Sequence, residues 1–344
     1  MVRSLEEMEL YTKKIEVNKL TPGDILAYDL YLDHGAMIIP AGTKLTVNHI
    51  VRLKNMEEKI VSIDLTKVYI KSIQDSKVLM KKAMDGKPIT KKEVVKMLQP
   101  LLKETRREKN IVRLLLQLQS QDDYTFQHTV NIGIVAGVIA KWMGYTDEEE
   151  LSKITIAGTL HDIGKSKIPM QILKKPGPLT PVEFEVIKKH PRLGYDILNK
   201  MPSYEDEIKL AVRQHHERED GRGYPQGLVG DDIHPYAKII AVADVYHAMT
   251  SKRVYRGRIS PFLVLDHLHS NMDRLDTEII LVFVKNMLNC LIGSKVGLSD
   301  GRKGHVTFVD PKAIGYPVIR LEGSHKIIDL YEQKDLTVEE ILIE

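Results

Sequence analysis

Residues 154–165 read ITIAGTLHDIGK, an apolar run that ends abruptly on His161 and Asp162. Two polar side chains directly after such a run are costly to bury without partners. A divalent cation removes the cost, because an imidazole supplies a nitrogen ligand and a carboxylate can bridge two ions. One His-Asp pair is weak evidence by itself, so its meaning depends on what the rest of the chain places beside it.

Downstream, residues 215–225 read HHEREDGRGYP. Ile208, Ala211 and Val212 set His215 on the apolar face of a predicted helix at i+3/i+4 spacing. Alone, His215 and His216 read more simply as a surface pair favoured by the dipole at a helix C-terminus. His190, just before Pro191, and His128, among Val130, Ile132, Ile134 and Val135, are each unremarkable in isolation. Asp244 interrupts the run IIAVADVY at 239–246, and a carboxylate in so apolar a helix needs a charge partner or a metal. Taken together, five histidines and two aspartates come from five predicted helices, each near an apolar face. Side chains converging from facing helices are how bundle proteins build metal sites. Nitrogen and carboxylate donors without thiolate suit iron or manganese, with zinc open. Two ions a few ångströms apart suit an in-line displacement at phosphorus.

The rest of the chain sorts by hydrophobic period. In residues 16–42, short apolar runs are punctuated by Pro22-Gly23, Asp33-His34-Gly35 and Pro40-Ala41-Gly42, which are turn signals between strands. A short helix is expected near Val47 to Met56, then a strand over 60–70 from the alternation Val61, Ile63, Leu65. Thr90 and Glu93 make a capping box ahead of Val94, Val95, Met97 and Leu98. Leu114, Leu115 and Leu118 continue a helical face. Helices are then predicted from Tyr124 to Met143, from Asp147 to a cap at Gly164, from the capping box Thr180-Pro181-Val182-Glu183 through His190, over 205–216, from Pro235 to about Ser251, and one or two over 261–290. The tail alternates, with Asp300-Gly301 as a tight turn. The expected organisation is multidomain: a small β-rich domain over 1–75, a helical connector over 76–122, a mainly α catalytic domain over 123–290 and a small β-rich extension over 291–344.

Composition narrows the class. The formal net charge of +3 on 344 residues and the lack of a basic stripe or aromatic platforms give no support to a nucleic-acid polymer as partner. The single cysteine, Cys290, allows no intrachain disulfide and fits a reducing compartment. The first residues carry no apolar signal segment. The longest apolar stretch, 132–140, is glycine-interrupted and far shorter than the about 20 residues of a membrane span. A cytoplasmic chain is expected. Seven of its thirteen histidines lie between His128 and His247, where the chemistry is concentrated. His34, His49, His234, His247, His267, His269, His305 and His325 fall in no recognisable pattern and read as ordinary.

The His-Asp pair followed by Gly164-Lys165, the HHEREDGRGYP segment, ADVYHAMT at 243–250 and RVYR at 253–256 together resemble the HD-GYP subgroup of the HD phosphohydrolases, over about residues 120–285. The resemblance implies an HD-type helical bundle that hydrolyses cyclic di-GMP, a bacterial second messenger, to pGpG or on to GMP at a non-haem metal centre. It implies that His128, His161, Asp162 and Asp244 hold one metal, and that Asp162 bridges to a second held by His190, His215 and His216. A hydroxide bridging the metals would attack, and Lys165 would neutralise the phosphate or assist the leaving group. Arg253, Arg256 and Tyr224 would face the substrate. Members with a third metal carry glutamate four residues before the first histidine. Tyr124 stands there in this chain, so two divalent ions and a product stopping at pGpG are expected. The GYP loop at 223–225 is implicated in the family in contacts with diguanylate cyclase domains, and reads equally as a rigid rim. A homodimer stays open. Two competing readings are a phosphodiesterase for another cyclic dinucleotide, such as cyclic GMP-AMP, and a non-catalytic dinucleotide- or partner-binding regulator. Degenerate members of the latter kind usually lose ligands, whereas this chain keeps all seven positions and Lys165.

Overall fold

The computed structural model describes residues 12–27, 30–31, 37–55, 60–107, 124–250, 259–324 and 326–342. Arg253, Arg256, Asp33 to Gly35 and Leu114 to Leu118 lie outside them. The first part of the chain forms two antiparallel strand pairs. β1 (Thr12–Glu16) pairs with β4 (Ile60–Asp64), and β2 (Leu30–Tyr31) with β3 (Met37–Ile39). The predicted turns at Pro22-Gly23 and Pro40-Ala41-Gly42 are present, with Gly23 and Gly42 at positive φ. α1 (Val47–Asn55) buries Ile50 and Leu53 and packs on the 3-10 turn Val17–Lys19.

The strand expected over 60–70 stops at Asp64, and α2 (Leu65–Met84) begins at the next residue. Buried Tyr69, Ile73, Ser76, Leu79 and Ala83 recur at three and four residues, so the helical period takes over where the strand alternation was extended too far. α3 (Lys91–Arg107) starts on the predicted box: Thr90 N–H donates to Glu93 Oε2 at 2.9 Å and Glu93 N–H to Thr90 Oγ1 at 3.3 Å. Lys82 ties α2 to the same Glu93 carboxylate.

The helices that carry the site follow: α4 (Tyr124–Trp142), α5 (Glu148–Leu160), α6 (Met170–Leu173), α7 (Pro181–Ile187), α8 (His190–Asn199), α9 (Asp206–Gln214), α10 (Pro235–Thr250), α11 (Pro261–Ser270) and α12 (Thr277–Leu291). α4 is the central member. Val130, Ile132, Ile134, Val135 and Ala136 are all at most 1% exposed, and burial of successive residues means burial all round the helix. α2, α3, α5, α10 and α12 pack on it. α5 comes closest, because a Cβ at Gly133 would sit 2.1 Å from Thr159 Oγ1 and 2.9 Å from the Thr155 carbonyl oxygen. Only a residue without Cβ permits that approach, and it brings the start of α4 alongside the end of α5.

Two helix boundaries differ from expectation. α5 ends at Leu160 rather than at Gly164, and Gly164 lies inside a 3-10 turn, Ile163–Lys167. Its role is spatial: a Cβ there would meet the His190 carbonyl oxygen at 2.0 Å. His190 does not continue the helix begun at Thr180. That helix ends at Ile187, and His190 opens α8. The capping box at Thr180 and Glu183 is present, as is the Asp147 cap on α5. The tail is an antiparallel sheet in the order β8-β7-β6-β5-β9, made of β5 (Lys295–Leu298), β6 (Lys303–Phe308), β7 (Val318–Leu321), β8 (Ile327–Asp329) and β9 (Val338–Leu342). Gly301, at φ +84°, makes the predicted turn between β5 and β6. No helix among the described residues is long and apolar enough to cross a membrane.

Candidate metal centre

Three of the predicted ligands obey one local rule. The last carbonyls of a helix have no intrahelical N–H partner. His161 stands just after α5, His215 just after α9, and His190 three residues after the end of α7. Each satisfies the carbonyl three residues back through Nδ1: His161 to Gly158 at 2.7 Å, His190 to Ile187 at 2.8 Å and His215 to Val212 at 2.8 Å. A carbonyl oxygen only accepts, so Nδ1 carries the proton and Nε2 turns inward. This is the backbone-anchored arrangement that orients a metal-ligating histidine.

The inward atoms meet in two groups. His128, His161 and Asp162 form one, and His190, His215 and His216 the other, with donor atoms in each within 4.8 Å of one another. The carboxylate of Asp162 spans both. Its Oδ1 lies 3.2 Å from His190 Nε2, and its Oδ2 lies 3.3 Å from His161 Nε2 and 3.7 Å from His128 Nε2. Asp244, on α10, joins from the far side, with Oδ1 3.3 Å from His128 Nε2. The structure therefore brings together all seven side chains singled out as ligands, and it adds Lys165, whose Nζ donates to Asp162 Oδ2 at 2.5 Å.

The electrostatics fit a cation. His190 Nε2 and His215 Nε2 face each other at 3.2 Å. With the protons on Nδ1, both present lone pairs, an arrangement favourable only around a positive ion. Burial first, then the neighbouring His216, pushes His215 well below the ordinary imidazole range, so it stays neutral. Burial also lowers His216 and His128. Among the described residues, Asp162 Oδ1 is buried with no hydrogen donor to accept from. Burial would raise Asp162 and Asp244, but adjacent imidazoles, with Lys165 at Asp162, outweigh it and hold both well below the usual carboxylate range. Burial opposes a charge on His161, yet the Asp162 carboxylate beside it wins and raises its pKa. The His/Asp groups are compatible with divalent metal binding.

The loop after α9 is tied to the centre. Tyr224 stacks on His216 with ring centroids 4.6 Å apart at 27°, and its backbone N–H donates to the His216 carbonyl oxygen. Glu217, 2% exposed, accepts from Gln226 N–H at 2.7 Å and Leu228 N–H at 3.0 Å, pinning the loop from beneath. Asp220 is exposed and accepts from Arg222 N–H, a turn contact within the loop. Arg218 donates to the carbonyls of His215 and Glu217.

Sequence reading missed the support of His128. His247, taken as ordinary, is 3% exposed, and its Nδ1 lies 3.0 Å from His128 Nδ1. Its Nε2 meets Asn131 Nδ2 at 2.8 Å, and Asn131 Oδ1 accepts from Tyr69 O–H at 2.9 Å. The available signal was spacing: His247 lies three residues after Asp244, and Asn131 three after His128, one helical turn in each case.

The HD domain family model matches residues 93–279. The chain belongs to this family, and its HDxGK and HHEREDGRGYP segments place it in the HD-GYP group. It is 39% identical over 173 residues to the cyclic di-GMP phosphodiesterase response regulator RpfG of Xanthomonas campestris pv. campestris, covering 50% of this chain and 46% of that protein. It is 34% identical over 171 residues to the 3'3'-cGAMP-specific phosphodiesterase 1 of Vibrio cholerae, covering 49% of this chain and 39% of that one. The chain thus spans about half the length, or less, of the curated relatives it matches. An HDG"Y"P protein from Bdellovibrio bacteriovorus shares the fold, with a TM-score of 0.52 at 15% identity over 81% of this chain and 99% of that chain.

Proposed function

We propose that this chain is a metal-dependent phosphodiesterase that hydrolyses cyclic di-GMP in the bacterial cytoplasm. The observation that carries the reading is the pair of inward-facing imidazole groups joined by the two oxygens of Asp162. His128, His161, Asp162 and Asp244 would hold one divalent ion, and His190, His215 and His216, with Asp162 shared, a second; iron and manganese suit these donors. When bound, the ions would supply positive charge to the phosphoryl oxygens and acidify a water.

The chain's own groups do the rest. The backbone carbonyls at residues 158, 187 and 212 anchor three imidazoles through Nδ1–H, so their Nε2 atoms are aimed before any ligand arrives. Lys165, whose Nζ donates to Asp162 Oδ2, is proposed to neutralise charge that grows on the phosphate during displacement. Tyr224, stacked on His216, is proposed to offer an aromatic face to a base or sugar of the substrate. Arg253 and Arg256 are proposed to grip the outer phosphate. Tyr124, in the place of a third-metal glutamate, leads us to two ions and to pGpG as product. The GYP loop is proposed as the face for a diguanylate cyclase domain. The segments 1–75, 76–122, 123–290 and 291–344 are proposed as the chain's working units.

A second reading has its own support: one relative is named for 3'3'-cGAMP, so cyclic GMP-AMP is the alternative substrate. The deciding experiment is anaerobic purification, metal quantification and turnover of both dinucleotides, with Asp162→Ala alongside. About two equivalents of iron or manganese, and hydrolysis lost in the variant, are expected. Bound metal with no turnover of either dinucleotide would move the chain to another phosphoester or a regulatory role. No metal under iron-replete, reducing conditions would remove the proposal.

A further inference from the structure

We infer that Asn131, His247 and Tyr69 are positioning residues for the His128 side of the centre, with Tyr69 reaching it from a helix outside the matched HD domain. The inference rests on the metal centre proposed above and adds to it a route from the N-terminal region into the site. Four buried side chains form one hydrogen-bonded string: Tyr69, Asn131, His247 and His128, at 2%, 1%, 3% and 7% exposure. The links measure 2.9, 2.8 and 3.0 Å. Tyr69 lies on α2, Asn131 and His128 on α4 and His247 on α10, so the string crosses three helices. The family model begins at residue 93, and Tyr69 lies outside it.

Such a string has two self-consistent directions. In one, Tyr69 O–H donates to the amide oxygen of Asn131, the amide N–H donates to His247 Nε2, and His247 Nδ1–H donates to His128 Nδ1. A neutral His128 then carries its proton on Nε2, pointing at Asp244 Oδ1 3.3 Å away. In the other, every donor and acceptor is exchanged. His128 Nδ1–H donates to His247 Nδ1, His247 Nε2–H donates to the amide oxygen, and the amide, turned by 180°, donates N–H to Tyr69 Oη. Turning the amide changes no shape. Only the second direction leaves a lone pair on His128 Nε2, as a metal ligand requires. A cation at His128 selects the second direction, and by linkage whatever holds the string in that direction tightens the cation.

α2 also meets the other side of the site. It packs on the 3-10 turn that carries Lys165, and Lys167 Nζ donates to the Met84 carbonyl oxygen at 3.3 Å. At its start α2 follows β4 with no intervening residue. The first strands are therefore continuous with a helix that supports both His128 and the Lys165 turn.

The test is Mn2+ affinity of the chelator-stripped full chain, with a thermal melt to confirm folding. Asn131→Asp presents acceptors on both sides and is compatible only with the metal-ready direction, so several-fold tighter binding at one of two sites is expected. Asn131→Leu breaks the string, and about 10- to 100-fold weaker binding at that site is expected, the range seen for lost outer partners of ligating histidines. Tyr69→Phe, isosteric and safe for folding, should shift the same site alone. Equal or weaker binding by Asn131→Asp, or a Tyr69→Phe chain that matches wild type at both sites, overturns the inference while leaving the centre intact. A wild-type chain that binds no divalent ion removes the centre and the inference together.

Discussion

At the scale of single residues, the chemistry comes from where a proton sits. Three histidines spend Nδ1–H on helix-end carbonyls, and that commitment turns Nε2 inward as the atom a metal would take. The sequence shows that His161 and His215 follow apolar helices. It does not show which ring nitrogen faces inward, because that depends on a carbonyl being left over at the end of the helix. Lys165 is the complementary case, a cation held 2.5 Å from the shared carboxylate yet with a partly exposed side chain, so it can turn to a substrate. Lys165→Met is expected to keep both metals and to lower turnover of the cyclic dinucleotide by about 10²- to 10³-fold, the loss typical of removing one charge-stabilising donor. Metal quantification beside a turnover assay checks it. A variant that turns over normally would assign Lys165 to holding Asp162 in place and nothing more.

At the scale of elements, close approaches set the ligand spacing. The 3-10 turn after α5 lies directly against the start of α8, and Gly164 is the point of contact. Gly164→Ala places a Cβ against the backbone of His190 and Gly194, which cannot move aside as a side-chain tip can. A loss of about 1–3 kcal/mol of stability is expected, measured by denaturant unfolding. His190 should be displaced with it, so the His190 group should lose metal before the His128 group does. Unchanged stability and full metal occupancy would show that α8 can slide away freely. Part of this was legible: capping boxes marked the starts of α3 and α7, and the apolar face of α9 pointed His215 inward. The boundary between α7 and α8 was marked only by Pro191 in the first turn of α8, a helix-start signal that the reading of one helix from Thr180 through His190 ran past.

At the scale of the whole molecule, inward-facing imidazole nitrogens packed against one another and against buried carboxylates are poorly arranged without a cation, so a bound ion should stabilise the folded chain. A ligand at 100 times its dissociation constant adds about 2.7 kcal/mol. For a chain of 344 residues, at about 2.1 cal/mol/K of unfolding entropy per residue, that corresponds to a rise in melting temperature of roughly 4 °C. Thermal melts of the stripped chain with and without Mn2+ should show it, and Asp162→Ala should abolish it. Equal melting temperatures across a saturating titration would mean that the histidines are held by the fold and receive nothing from a metal.

That these seven side chains belong together was legible in the chain, because His161-Asp162 and Asp244 interrupt apolar runs in which an unpartnered polar group is unfavourable, and because pairs such as His161-Asp162 and His215-His216 are local in sequence. The ring around that set was not. Tyr69 and Asn131 are 62 residues apart, Asn131 and His247 are 116 apart, and His128 and His247 are 119 apart. Each of these residues is ordinary in its own helix. Their hydrogen bonds exist only because α2, α4 and α10 pack side by side, and the reach of a side chain across a helix interface is a property of the folded molecule rather than of any one segment.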